Sequence, residues 1–209
     1  MKVKVCGITT RDNLESLIEI GVDMIGFNFY HKSKRYVNTS HLELSQLSGK
    51  TKRVGVFVNS PIAQLINIQK KYKLDYLQLH GNESPNYVSE AKQFCKVIKV
   101  FSVKEKIDMN EVKLFDMVDL FLFDTFTKDH GGSGRKFNWK ILEEYKGHIP
   151  FLLAGGITSD DLEELQTLKH EKLLGVDINS GFENAPGVKN IDLIDDFYKK
   201  ITDYDISDQ

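Results

Sequence analysis

The decisive stretch is FLLAGG at residues 151–156, a short apolar run that ends in two glycines. Ser159 then acts as a helix start signal, and Leu162 and Leu165 follow at helical spacing. A second apolar run, Gly175–Ile178, comes next. The order of strand, loop, helix and strand predicts two parallel strands joined by a crossover helix.

The same unit recurs along the whole chain. Continuous runs rich in Val, Ile, Leu and Phe are typical of parallel strands covered on both faces, and eight occur: Val3–Cys6, Met24–Phe27, Arg53–Val58, Tyr76–Leu79, Val97–Val100, Leu120–Asp124, Phe151–Ala154 and Gly175–Ile178. Helical spacing is found at Asp12–Ile20, Pro61–Tyr72 (with Ser60 as its expected cap), Ser84–Phe94, Asn138–Tyr145, Ser159–Leu168 and Ile191–Ile201. The connections after the second and fifth strands are less regular, and Asp203–Gln209 is expected to be frayed.

Eight such units predict an α/β fold of the (β/α)8 TIM-barrel type, as a single domain over residues 1–209. No linker or shift in composition marks a second domain. A doubly wound open sheet is the structural alternative, but it would normally need fewer strands. Its first turn would often carry a Gly-x-Gly-x-x-Gly loop, which CGITT at residues 6–10 is not.

Composition excludes several classes of protein. A net charge of −2 leaves no surplus of Lys and Arg to neutralise nucleic-acid phosphates. No apolar run approaches the roughly 18 residues of a membrane span, and no secretory leader precedes Val3. Two cysteines, Cys6 and Cys95, make no disulfide framework, and Cys95 is expected to be inert packing. We therefore expect a cytoplasmic protein with neither nucleic acid nor a membrane as partner.

Candidate catalytic groups stand where two strands end. Because the carboxyl ends of barrel strands face one common mouth, Cys6 and Asp124 are expected there as a base and an acid. Each also has a plainer interpretation: a free cysteine often only packs, and Asp124 could cap its turn together with Thr125. Asp124 is the stronger candidate, because a carboxylate that ends a run of Leu and Phe is costly to bury without a partner.

Glycine-containing loops follow the seventh and eighth strands. Gly155 and Gly156 stand in the first loop, and Ser180 and Gly181 in the second. Loops at these positions of a barrel commonly bind phosphate through backbone N–H groups and a helix N-terminus. The alternative is that the glycines only permit tight turns. Two such loops on adjacent strands favour a phosphate site.

Other polar side chains near the mouth are candidate substrate ligands. Arg35 could clamp a carboxylate, or it could be an ordinary solvated loop charge. Gln78 and His80 end the fourth strand, and His80 could bond either a ligand or a neighbouring loop. Asp177 could bind substrate or cap a turn, and the sequence favours the cap. The segment GGSG at residues 131–134 is interpreted as a mobile flap or as a phosphate loop of its own.

Motifs of metal and serine-hydrolase chemistry are missing from the sequence. The six histidines are scattered, and the chain has neither His-Glu-x-x-His nor Cys-x-x-Cys. It has no Gly-x-Ser-x-Gly elbow either. We therefore predict no metal site and no nucleophilic serine of that type.

Taken together, the motifs resemble those of the phosphoribosylanthranilate isomerase family of tryptophan biosynthesis. The matching segments span nearly the whole chain in the family's order: KVCGI at 4–8, IGF at 25–27, SKRYV at 33–37, GVFVN at 55–59, LQLHG at 77–81, FDT at 123–125, GGSG at 131–134, FNW at 137–139, LAGGI at 153–157, GVD at 175–177, NSGFE at 179–183 and PGVK at 186–189. Each piece alone is weak, and the set is highly specific.

The resemblance implies an Amadori rearrangement of N-(5-phosphoribosyl)anthranilate, which needs no cofactor. We expect the protein to be a monomer or a homodimer. By motif match Cys6 is the general base, Asp124 the general acid, and Arg35 lies near the anthranilate carboxylate. The loops after the seventh and eighth strands hold the phosphate. One departure is Asn28, which stands where the family more usually has an apolar residue, and it predicts altered pocket contacts rather than lost activity.

Two other functions remain open at this point. The sugar isomerase of histidine biosynthesis is similar in the phosphate loops but uses two aspartates, and Cys6 speaks against it. A catalytically silent phosphate-ligand-binding barrel would bind an anthranilate-ribose phosphate tightly without turnover.

Overall fold

The computed structural model describes residues 1–38, 42, 50–125 and 138–207, with side chains up to Asp203 in the last helix. Eight parallel strands close into a barrel in chain order, and the eighth pairs with the first. They are β1 (Lys2–Cys6), β2 (Met24–Asn28), β3 (Lys52–Phe57), β4 (Tyr76–Leu79), β5 (Lys96–Val103), β6 (Leu120–Thr125), β7 (Phe151–Ala154) and β8 (Leu173–Ile178). The predicted TIM barrel is confirmed.

Helices cover the outside of this ring: α1 (Arg11–Ile20), α2 (Ile62–Tyr72), α3 (Pro85–Lys92), α4 (Met109–Lys113), α5 (Leu162–Thr167) and α6 (Ile191–Ser207). The α1 helix starts at Thr10, whose hydroxyl accepts a bond from the Asn13 N–H, and it ends at Gly21 in the left-handed region. The predicted cap Ser60 is wrong, because Pro61 occupies the cap position of α2. The Ser60 carbonyl instead accepts a bond from the Tyr87 hydroxyl.

The wall around β6 and β7 departs from the predicted pattern. The segment predicted as a helix at Asn138–Tyr145 is a 3₁₀ helix, Trp139–Glu144, and α4 has five residues. Large rings cover the strands there instead: Phe123 packs edge-on against Phe151 and Tyr145, with centroids 5.2 and 5.4 Å away. Aromatic side chains bury enough area to cover these strands without a long helix.

Three further differences concern the C-terminal half. The helix predicted at Ser159–Leu168 is split into a 3₁₀ turn, Ser159–Asp161, and α5. Its cap is Thr158 rather than Ser159. The last helix continues to Ser207 instead of fraying from Asp203. An antiparallel hairpin that the sequence pattern did not indicate, β9 (Glu183–Ala185) and β10 (Val188–Lys189), follows β8.

The barrel lumen is divided into an apolar part and a polar part. Inward-facing side chains from five strands fill the apolar part: Met24, Val54, Ile98, Val100, Leu120, Leu122, Leu152 and Ala154. Successive residues of a strand alternate between lumen and outside, so polar residues at the carboxyl ends on the same face project into the mouth. The fold therefore delivers the polar ends of its strands to one place.

A buried ion pair outside the lumen fixes two of the loops at this mouth. The Lys99 ammonium on β5 lies 3.0 Å from the Glu83 carboxylate and donates to the Gly81 carbonyl at 2.7 Å. The same carboxylate accepts the backbone N–H groups of Asn59 and Gly81. Glu83 thus ties the loop after β3 to the loop after β4, which carries His80.

We expect Lys99→Met to lower the free energy of unfolding by about 3–5 kcal/mol, because it leaves the Glu83 charge buried and unpaired. The double variant Lys99→Met/Glu83→Gln should recover much of that loss. Urea titrations followed by circular dichroism measure both. Lys200→Met, which removes an exposed pair with Asp196, is the matched control and should change stability little. A double variant less stable than Lys99→Met would contradict this account of the pair.

Candidate active site

A polar pocket lies at the carboxyl-end mouth of the barrel. It brings together eight of the ten predicted site residues: Cys6, Gln78, His80, Asp124, Gly155, Gly156, Asp177 and Ser180. Arg35 and Gly181 lie next to it without lining it. A larger cavity of about 400 Å³ is found near the amino ends of β6 and β7, lined by Met109 and Phe121 among others. Because barrel enzymes place their chemistry at the opposite face, we take the mouth pocket as the site.

A lysine inside the lumen connects two of the predicted residues. Lys4 stands two positions before Cys6 on β1, so both side chains face inward. Its ammonium lies 2.8 Å from each carboxylate oxygen of Asp177, the residue paired with it in register on β8. The Lys4 side chain is fully buried. Asp177 is therefore held by an ion pair rather than acting as the predicted cap of a turn.

Burial and charge act against each other in this group. Burial raises the pKa of the Cys6 thiol, and the Lys4 ammonium opposes that rise. Burial likewise raises the pKa of the Asp177 carboxyl, again opposed by Lys4. For Lys4 itself burial acts to lower the pKa, but Asp177 and Cys6 outweigh it and raise the pKa. Lys4 is thus held as an ammonium ion at the base of the pocket.

Asp124 and His80 face each other across another part of the pocket. The His80 Nε2 atom lies 3.5 Å from an Asp124 carboxylate oxygen, and both side chains are about one-quarter exposed. Gln78 is buried on β4, the strand that leads into His80, and its Oε1 atom has no hydrogen-bond partner among the described residues. A buried acceptor without a partner is rare in folded proteins, so a ligand donor at this position would satisfy Gln78.

The two glycine-containing loops offer free backbone donors. Gly155 and Gly156 have φ angles of 96° and 68°, which an L side chain adopts only with strain. Ser180 and Gly181 form a 3₁₀ turn after β8. Within the described part of the chain, the backbone N–H groups of these four residues donate no hydrogen bond. A 3₁₀ turn and the six-residue α5 follow the glycines, so the loops themselves carry most of the expected anion site.

Arg35 is positioned by a residue that the sequence reasoning missed. Its guanidinium makes two-pronged bonds to Glu183 on β9, the shortest 2.6 Å long. Lys189 on β10 holds the same carboxylate at 2.7 Å and bonds Asn179 at 2.8 Å. Glu183 and Lys189 belong to the NSGFE and PGVK segments, but no local pattern indicates a contact with Arg35, which is 148 positions away.

Asn28, the predicted departure, shapes the loop that carries Arg35. Its side-chain oxygen accepts a bond from the Tyr30 N–H at 2.9 Å, and its amide donates to the Ser33 hydroxyl at 3.1 Å. The same hydroxyl accepts the backbone N–H of Arg35. Asn28 also lines the pocket. An apolar side chain at this position could make neither of the two bonds of Asn28. The polar residue therefore holds this loop by hydrogen bonds that an apolar residue cannot provide.

The predicted GGSG flap at residues 131–134 lies outside the described residues. Within the described ranges, no three His, Cys, Asp or Glu side chains come together as a set of metal ligands. None of the described helices has both the length and the hydropathy needed to cross a bilayer. Cys95 does not line the pocket; it is partly buried against the hydrophobic core, and its thiol donates to the Leu74 carbonyl.

The fold and the polar mouth define a (β/α)8-barrel enzyme. Residues 3–200 match the family model described as N-(5'phosphoribosyl)anthranilate (PRA) isomerase. The chain belongs to this family.

Relatives and solved structures agree with this assignment. The N-(5'-phosphoribosyl)anthranilate isomerase of Parabacteroides distasonis is 41% identical, over 96% of this chain and 93% of that protein. The corresponding protein of Thermoanaerobacter pseudethanolicus is 38% identical, over 96% and 98%. The crystal structure of the Thermotoga maritima isomerase superimposes with a TM-score of 0.87 at 31% identity, over 97% of this chain and 99% of that one.

The Arg35–Glu183–Lys189 cluster predicts how stability depends on acid. Burial raises the pKa of Glu183, but the bonds from Arg35 and Lys189 outweigh it and lower the pKa. A carboxylate whose pKa is lowered on folding adds stability above its unfolded value, near 4.5, and that contribution is lost as pH falls through the folded value.

Glu183→Gln should therefore be less stable than the wild type at pH 7, and the difference should shrink as pH falls below about 4.5. Urea unfolding between pH 7 and pH 3 measures it. The control is Glu15→Gln, which removes an exposed partner of Arg11. A difference that stays constant over this range would show that the charge of Glu183 is not what stabilises the cluster.

Proposed function

We propose that this chain converts N-(5-phospho-β-D-ribosyl)anthranilate to 1-(2-carboxyphenylamino)-1-deoxy-D-ribulose 5-phosphate by an Amadori rearrangement, a step of tryptophan biosynthesis. Membership of the family supports the reaction. The structural observation that carries it is that Cys6 and Asp124, from strands three places apart around the ring, line one pocket. A sugar between them has a base on one side and an acid on the other.

The first step opens the ribose ring. Asp124 donates a proton to the ring oxygen, the bond between that oxygen and C1′ breaks, and the nitrogen lone pair forms an iminium ion at C1′. His80, 3.5 Å from the Asp124 carboxylate, is placed to hold the carboxylate that this proton transfer leaves behind. The Asp124 side chain is about one-quarter exposed at the pocket surface, so a sugar bound in the pocket can contact it directly.

The second step moves a proton from carbon. The Cys6 thiolate removes the C2′ proton, and the electron pair of that bond forms a C1′–C2′ double bond and neutralises the iminium nitrogen. The resulting enolamine tautomerises to the ketone product. A base and an acid are enough for this sequence, so the proposal includes no cofactor and no metal.

The remaining predicted residues bind the substrate in this proposal. The free N–H groups of Gly155, Gly156, Ser180 and Gly181 take the phosphate. Gln78 and Asp177 bond the sugar hydroxyls, since Gln78 has a buried acceptor to satisfy. Arg35 binds the anthranilate carboxylate with the part of the guanidinium that Glu183 leaves free. One solved phosphoribosyl anthranilate isomerase, with a TM-score of 0.84 to this chain, is in complex with reduced 1-(o-carboxyphenylamino)-1-deoxyribulose 5-phosphate.

We further infer a cytoplasmic enzyme that is a monomer or a homodimer. A catalytic Cys6 has to stay a free thiol, and both Cys6 and Cys95 are free. The isomerase of Thermotoga maritima is described as dimeric, and monomers of it have been generated. Sedimentation of the purified chain at micromolar concentration distinguishes the two states.

The catalytic roles are tested with Cys6→Ser and Asp124→Asn. Each should lower kcat by at least about a hundredfold, because each removes one of two proton-transfer groups. Binding of the reduced product analogue should change little. Single-turnover measurement of the anthranilate fluorescence gives the rate. Cys95→Ser is the matched control and should retain wild-type turnover.

The same experiment separates the alternatives. A wild type that binds the phosphoribosyl substrate without turnover would be a silent binding barrel. Full activity in Cys6→Ser would overturn the base assignment and leave a reaction run by carboxylates, such as Asp124 and Asp177.

A further inference from the structure

The buried lysine of the barrel lumen has no role in the reaction as described. We propose that Lys4 is the positioning residue of the proton transfer from carbon: held by Asp177, its ammonium stands beside the Cys6 sulfur and stabilises the thiolate. This inference rests on the proposed role of Cys6 as the base. It adds a residue from the lumen, below the pocket surface, to the machinery of the site.

The first support is the placement of the ammonium. Lys4 is fully buried, and both of its short bonds, at 2.8 Å, go to the two oxygens of Asp177. An ammonium in the lumen loses its hydration, and an ion pair rarely repays that loss with net stability. A hydrophobic side chain would fill the lumen at least as well. The lysine is therefore better explained by what its charge does to a neighbour.

The second support is the space over Gly26. Gly26 is paired with Cys6 in the register between β1 and β2. A methyl group built on Gly26 would lie 2.7 Å from the Cys6 sulfur and 3.1 Å from the Lys4 nitrogen. The sulfur and the ammonium thus border the same small space, which exists because residue 26 has no side chain. The three heavy atoms nearest to that methyl group all belong to Cys6 and Lys4.

Charged groups around the Cys6 sulfur determine whether its thiolate is stabilised or destabilised. The groups that act on it come from four parts of the chain: Lys4, Asp177, Lys189 and Arg35. Asp177 in turn faces Asp124 and His80 across the pocket. Lys4 has the largest favourable effect on the thiolate, and Asp177 opposes it to a smaller degree. Without Lys4, burial and a nearby carboxylate would leave Cys6 a poor base.

The test follows the ionisation of Cys6 in the free enzyme. Iodoacetamide alkylation is measured between pH 6 and pH 11, and the modified peptides are quantified by mass spectrometry. Cys95, whose pKa burial raises to about 11, serves as the internal reference. In Lys4→Met the midpoint for Cys6 should move up by about one pH unit or more, which is about a tenfold loss of rate at a fixed pH below it. The curve for Cys95 should not move.

Companion variants separate charge from structural damage. Asp177→Asn should move the Cys6 midpoint down, because it removes a charge that opposes the thiolate. Lys4→Met/Asp177→Asn leaves no unpaired charge in the lumen, and its midpoint should remain above that of the wild type. Lys99→Met removes a buried ammonium outside the lumen and should leave the Cys6 curve unchanged. General loosening of the fold would not move two variants in opposite directions.

Turnover provides the second readout. The rising limb of kcat against pH should shift up in Lys4→Met along with the alkylation midpoint, and Lys4→Arg should restore part of it. An unchanged Cys6 midpoint in Lys4→Met would overturn the proposal, leaving Lys4 as a partner of Asp177 only. If the midpoint shifts but Cys6→Ser is fully active, the contact with Lys4 stands and the role of Cys6 as base fails.

Discussion

Closure of the barrel between β8 and β1 is the constraint on which the site depends. It places residues 173 positions apart in register and brings the Lys4 ammonium against the Asp177 carboxylate. Neither group would be tolerated alone in a dry lumen. Each buried charge is stable only when it is paired with the other, and they are paired only when β8 and β1 close the barrel. Ring closure therefore also sets the charge distribution below the pocket. The polar mouth is therefore a product of strand order as much as of residue type.

A second layer of support lies outside the lumen, where charged side chains hold loops rather than the ligand. Glu83 fixes the loops after β3 and β4. Glu183 fixes the Arg35 side chain and bonds the Gly187 N–H of its own hairpin. Both carboxylates are buried and each is paired with a lysine. These ion pairs thus anchor the loops beside the pocket, which holds the side chains that the loops carry in fixed positions.

Much of this architecture could be predicted from the sequence, because the relevant signals are local. Eight apolar runs define the barrel, and the rule that strand ends meet at one mouth brings Cys6 and Asp124 together. The failures are of two kinds. The segment at Asn138–Tyr145 has helical spacing, but it folds as the 3₁₀ helix Trp139–Glu144, and the Tyr145 ring that follows packs against Phe123 and Phe151.

The second kind of failure concerns contacts between residues that are far apart in the sequence. Nothing near Arg35 indicates Glu183, because their contact exists only after the ring closes. Lys4 has a local signal in the sequence: it stands two positions before Cys6 among the apolar residues of the predicted strand Val3–Cys6, and strand alternation puts both side chains on the inner face. A charged residue at an inward position of a barrel strand should prompt a search for its counter-ion on the adjacent strands.

Trp139 gives this protein a built-in optical reporter. It is the one tryptophan in the chain, its side chain is only 2% exposed, and it begins the 3₁₀ helix that follows β6. Indole emission from the native enzyme therefore originates at a single point, downstream of the strand that carries Asp124. Local opening of that wall can therefore be followed without any attached dye.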